Sequence, residues 1–154
     1  MKQYITVKDY VATSLEASVV YGVPLFIYYN SNTTNNYWIL YLGNIFFVIL
    51  VAISTHIINK RIEEGTEMGI MIANGFKLNV ISSIACFVLS VIIYYFMGNK
   101  TLVYPTLTSI QHEVYNVLML NAWVLNMMLG FVAVILTAIV YNQILQDVKG
   151  RDIT

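Results

Sequence analysis

Three stretches of this chain, 37–58, 78–97 and 114–146, contain no Asp, Glu, Lys or Arg. Each matches or exceeds the roughly 20 apolar residues that a helix needs to cross a hydrocarbon layer about 30 Å thick. A fourth stretch, 11–29, is apolar apart from Glu16 and from Pro24, which removes one backbone donor. In lipid the backbone polar groups of such runs are satisfied within helices. Composition points the same way. The chain is 58% hydrophobic and 10% charged, whereas an ordinary soluble domain carries about 25% charged residues, so little polar surface is left to cover a soluble core. The sequence reads as an all-α membrane protein, one domain of four transmembrane helices over 11–29, 37–58, 76–97 and 117–141.

Basic residues collect in cytoplasmic loops. With the N-terminus inside, Lys2, Lys8, Lys60, Arg61, Lys77, Lys149 and Arg151 fall on the cytoplasmic side and only Lys100 falls outside. This alternation predicts an up-down-up-down bundle, N-in and C-in, and a three-span arrangement would spoil it. Residues 1–10 lack the apolar stretch and small-residue cleavage site of a signal peptide, so the first span is expected to stay in the mature protein. The uncharged segment 30–36 reads as a translocated turn joining the first two spans. Tyr28, Tyr29, Tyr37, Trp38 and Tyr41 around it, and Tyr94, Tyr95 and Tyr104 around the second external loop, suit interfacial belts.

Two segments are not simple spans. On the inner side, 59–67 reads as a compact charged turn in which Gly65 ends the second helix and Thr66 caps the third. Residues 68–76 then extend the third helix or form a separate interfacial helix ending at Gly75. On the outer side, Pro105 is followed by Thr108 and Gln111 in the spacing of a capping box. A straight helix from Ser109 to Gln146 would be roughly 57 Å long, so it is expected to project or to bend at the outer surface.

A charge at the centre of a spanning helix costs about 2.5–3.5 kcal/mol on insertion scales, which makes Glu16 and Lys77 the candidate intramembrane charged sites. Glu16 lies roughly 7.5 Å inside Val11 along a helix axis, and Lys77 at the inner edge of the third span. One reading pairs them, or gives Glu16 a cation or a proton to handle. The other lets Lys77 snorkel to the interface and leaves Glu16 among inner headgroups. Asn126, Gly130, Ala133 and Thr137 recur at i, i+4, i+7 and i+11, a candidate helix-packing face; Ser14, Ser18 and Gly22 repeat the pattern, as do Ser82, Cys86 and Ser90. Small residues on one face let helix backbones approach where lipid supplies no hydrophobic drive. Asn44, Asn79 and Asn121 are read in the same way. Gly130 is the position predicted to be most sensitive, with Leu136 facing lipid.

Catalytic chemistry is poorly provided for. His56 and His112 fall at opposite ends of a span and share no site, and Glu113 beside His112 reads as a solvated turn. No zinc-protease, nucleophile-elbow or phosphate-loop motif occurs, and no aspartate lies within a predicted span. A single cysteine, Cys86, excludes an intrachain disulfide and a cysteine cluster. No cofactor or metal is expected. A formal net charge of zero gives no argument for nucleic acid. The expected partners are the bilayer and a membrane protein or further copies of the chain. The expected role is non-enzymatic: an accessory, assembly or regulatory subunit acting by helix contacts. The alternative is a protomer of an oligomeric small-solute or ion transporter or channel.

The segment 59–93 carries the charged turn with Gly65, the small residues before Phe76 and Lys77, and the Ser- and Ala-rich helix that follows. In these features it resembles a family of small uncharacterised bacterial four-span membrane proteins. The resemblance implies a bacterial inner membrane.

Overall fold

The computed structural model describes residues 6–30, 38–61, 67–98 and 120–151. They form α1 (Val7–Asn30), α2 (Trp38–Arg61), α3 (Met68–Ile93) and α4 (Asn126–Arg151). A π-helical turn, Tyr94–Gly98, continues α3, and another, Leu120–Leu125, precedes α4. The described residues include no strand, and four helices are long and apolar enough to cross a membrane.

Local chemistry moves two helix ends away from their expected places. The Asp9 carboxylate accepts from both the backbone N–H and the hydroxyl of Thr6, each at 2.8 Å, while the Asp9 N–H donates to the Thr6 carbonyl at 3.0 Å. That exchange supplies the acidic half of a capping box, and α1 starts at Val7 rather than at residue 11. At the other site, α2 continues to Arg61, so Asn59 and Lys60 are helical instead of belonging to a turn. Lys60 and Arg61 in the last turn suit the negative end of the helix dipole. The third helix runs without a break through Gly75, so no separate interfacial helix forms, and its N-cap is Glu67, with no side-chain capping bond. Gly65, Thr66, the segment 31–37, Pro105 and the Thr108–Gln111 pattern lie outside the described residues. Pro24 sits inside α1, which continues through it.

Helix α1 packs on α2 and α3, and α4 packs on the same two, which also touch each other. The helices therefore form a rhombus with α1 and α4 at opposite corners. Tyr21 lies on Gly43 and Asp9 pairs with Arg61, which makes α1 and α2 antiparallel. Ser14 meets Ser82 and Gly22 meets Leu89, so α1 and α3 are parallel. Gly75 meets Val134 while Phe87 meets Trp123, so α3 and α4 are antiparallel. Consecutive helices thus alternate in direction. The end carrying Lys60 and Arg61 is called the basic end below.

Glycines fix the closest approaches. A Cβ at Gly43 would lie 3.1 Å from the Tyr21 ring and 3.2 Å from its carbonyl oxygen. One at Gly75 would lie 2.6 Å from Val134 and 2.9 Å from Thr55, so α2, α3 and α4 converge on a position that only a missing side chain permits. Around these contacts lie Ala17, Leu25, Phe47, Val51, Cys86 and Val134. Polarity is distributed as lipid requires. Asn44, Thr55, Asn59, Asn79, Ser82 and Asn126 are buried, whereas Val19, Phe26, Ile49, Ile53, Ile84 and Val132 are exposed. A continuous apolar exterior of this kind is an interaction surface rather than a water-facing one.

Candidate polar and packing sites

The structure separates the two charged candidates. Glu16 and Lys77 are both exposed, and neither has an ion-pair partner among the described residues. Glu16 follows by two residues Ser14, whose hydroxyl accepts from Ser82 at 3.0 Å. At about 100° per residue it is rotated about 200° from that contact and faces away from α3. Lys77 stands in the same relation to Gly75, so it also points away from the convergence of α2, α3 and α4.

Register gives the depth of Glu16. It lies five residues from Tyr21, which packs on Gly43, and so is level with Val48 and Ile49, near the middle of the 24-residue α2. Lys60 is roughly 17 Å further along the axis. Matching Gly22 to Leu89 puts Glu16 level with Ser83, about 9 Å above Lys77. The carboxylate is therefore outward-facing and level with the middle of α2.

The stripe on α4 faces inward. Asn126, Gly130 and Ala133 are buried and Thr137 is half-buried. The Asn126 amide donates to the Ala122 carbonyl at 3.1 Å, and the Thr137 hydroxyl to the Ala133 carbonyl at 2.7 Å. Gly130 faces Asn79 of α3, whose amide donates to the Met127 carbonyl at 2.9 Å. These residues pack within the four-helix unit, and Leu136 on the other face is 57% exposed. Ser14, Ser18 and Gly22, and Ser82, Cys86 and Ser90, are likewise buried.

A polar cluster that sequence reading did not assemble sits towards the far end. Asn44 donates to the Asn121 amide oxygen at 2.7 Å, and the Tyr21 hydroxyl faces Ser90 and Asn121. It joins α1, α2, α3 and the turn before α4. Thr55 and Asn59, one turn apart on α2, are fully buried. The only sequence signal for them was that spacing, and the neighbouring Lys60 and Arg61 masked it. His56 is exposed and lies edge-on to Tyr141, ring centroids 5.5 Å apart. Among the described residues no three His, Cys, Asp or Glu side chains are placed to hold a metal, and His112 and Glu113 fall outside them.

Comparison with protein-family models, curated proteins and solved structures gives no match to the chain. The class rests on the molecule itself: all-helical, with four helices suited to crossing a membrane, a polar interior and an apolar exterior.

Proposed function

We propose that this chain is a non-enzymatic subunit of a bacterial inner membrane that acts by helix contact with a membrane-protein partner or with further copies of itself. The supporting observation is Glu16, a carboxylate on an outward, otherwise apolar face of α1, level with the middle of α2. Facing lipid there, it costs about 2.5–3.5 kcal/mol, and a neighbouring helix that supplies a hydrogen-bond donor or a cation offsets that cost. Val19, Val20, Val23 and Ile27 on the same helix are exposed and supply apolar contact area around it. The bias of Lys and Arg to one side supports cytoplasmic termini, and the family resemblance supports a bacterial membrane.

The test is recovery of associated chains from native membranes in mild detergent, with differently tagged copies to separate self-association from a foreign partner. Glu16→Leu should leave the four-helix unit folded and remove the associated chain, with Glu16→Gln intermediate because it keeps hydrogen-bonding capacity. Identical complexes from all three proteins would defeat the proposal. A second reading, a protomer of an oligomeric transporter or channel, draws support from the buried Asn, Ser and Thr side chains. With Glu16 and the asparagines lining a path in the oligomer, it predicts solute or ion flux in proteoliposomes that Asn44→Leu and Glu16→Leu both reduce.

A further inference from the structure

The interface of α2, α3 and α4 contains buried polar atoms that no described residue satisfies. At the basic end, Asn59 is fully buried and neither atom of its amide has a hydrogen-bond partner among the described residues; one turn away, the Thr55 hydroxyl is also without one. Thr55 abuts Gly75 of α3, and the next two turns of that helix bring Asn79 and Ser83. The Asn79 amide oxygen and the Ser83 hydroxyl are unpartnered, and both residues are 0% exposed. Asn79 faces Gly130 of α4, so Asn126, one turn beyond Gly130, is level with Ser83, and its amide oxygen is unpartnered too. The series ends at the Asn44–Asn121 pair, where the bond of 2.7 Å leaves the Asn44 amide oxygen without a partner among the described residues.

These groups are not scattered. Successive members are about one helical turn, or roughly 6 Å, apart, and the run from Asn59 to Asn44 extends about 22 Å. An unsatisfied buried polar group costs about 1–3 kcal/mol, so several in succession would erase the stability of a small bundle. Buried water is the usual remedy, each molecule making two to four hydrogen bonds to such groups. Adjacent rungs here offer amide and hydroxyl groups that donate and accept. Beyond Asn44 the core is closed by Leu25, Ile39 and Leu40.

We propose that the α2–α3–α4 interface binds a file of water molecules along these groups, from Asn59 to the Asn44–Asn121 pair. The residues named along it are Asn, Ser and Thr, so the file hydrates the interior without a carboxylate, imidazole or amine to carry protons. It depends on neither functional reading and would hold for a subunit or for a transport protomer.

The experiment uses the full chain, unaltered and isotope-labelled, in lipid bilayers, and follows magnetisation transfer from water to individual nitrogens by solid-state NMR. The Asn59 and Asn79 side-chain amides, identified by their loss in Asn59→Leu and Asn79→Leu, should receive signal at least about threefold faster than the buried backbone amides of Ala17 and Leu25. Transfer as slow as at those controls would mean a dry interface and would overturn the proposal. A second measurement uses Thr55→Val, which keeps the shape and removes the hydroxyl. Bound water that loses a ligand predicts a lower melting temperature. A dry interface predicts an unchanged or higher one, because an unsatisfied group has been deleted.

Discussion

Replacing Gly130 with alanine tests the contact between α3 and α4. The added Cβ would land on the side chain of Asn79, 2.6 Å from its Cγ and 3.1 Å from its Nδ2. Carbon atoms pack at about 3.5–4.0 Å, so Asn79 must shift by roughly 1 Å. Asn79 is fully buried, and the helices on either side of it are held together by Gly75 on Val134 and by the Phe76–Phe131 edge contact at 5.6 Å. The shift breaks the bond from Asn79 to the Met127 carbonyl. A lost buried hydrogen bond and a crowded core each cost about 1–3 kcal/mol, and we expect a total of about 2–4 kcal/mol. The double variant isolates the cause. With Asn79→Ala in place the obstruction is gone, and Gly130→Ala should then cost less than about 1 kcal/mol, a coupling of more than about 1 kcal/mol. Cys86, the sole cysteine and buried, supplies the assay, since a thiol-reactive dye reaches it only when the helices separate on heating in detergent. Equal costs for Gly130→Ala in the two backgrounds would refute the steric argument.

Other substitutions give smaller or opposite effects in the same assay. Gly69→Ala should raise stability by up to about 1 kcal/mol, because a Cβ there meets nothing within 4 Å and the helical backbone loses its glycine. Leu136→Ala should cost less than about 1 kcal/mol if its exposed side chain faces lipid tails. Asn44→Leu should cost about 1–2 kcal/mol by stripping Asn121 of its partner, with partial recovery on adding Asn121→Leu. For orientation, an impermeant thiol reagent applied to intact cells should label a cysteine at Thr34 and not one at Glu64; the reverse pattern would invert the bundle.

The helices were legible because crossing lipid demands a long uncharged run, and the chain advertises three of them. The inward stripes were legible because small residues repeated at helical spacing within an apolar run mark a face where backbones approach closely. Asp9 is a different case: as a charge it reads as flanking sequence, yet its bonds to Thr6 start α1 a turn earlier. Asn59 beside Lys60 and Arg61 reads as part of a charged turn, and its burial depends on Gly75 drawing α3 against α2 and α4. The depth of Glu16 depends on a register set by Tyr21 against Gly43, a contact between residues far apart in sequence. Nor does chain order reveal that α1 and α4 stand at opposite corners.

Those corners bear on where a partner would bind. The sequence made the stripe on α4 a contact surface, either inside the unit or towards another protein, and its burial against α3 and α2 assigns it to the inside. The exterior that remains is chiefly aliphatic, and lipid tails are as apolar as those side chains, so it supplies little drive for association. Directional attraction requires a polar group on that exterior. Glu16 is such a group on α1, a corner helix whose outer arc is uncovered. Lys77 is the other, but it lies about 9 Å nearer the basic end, and its long stem extends further towards that end than a glutamate level with the middle of α2 can. If helix contact is how the chain works, the surface that matters is therefore the Glu16 face of α1, and substitutions there should separate association from folding in a way that changes at Gly130 cannot.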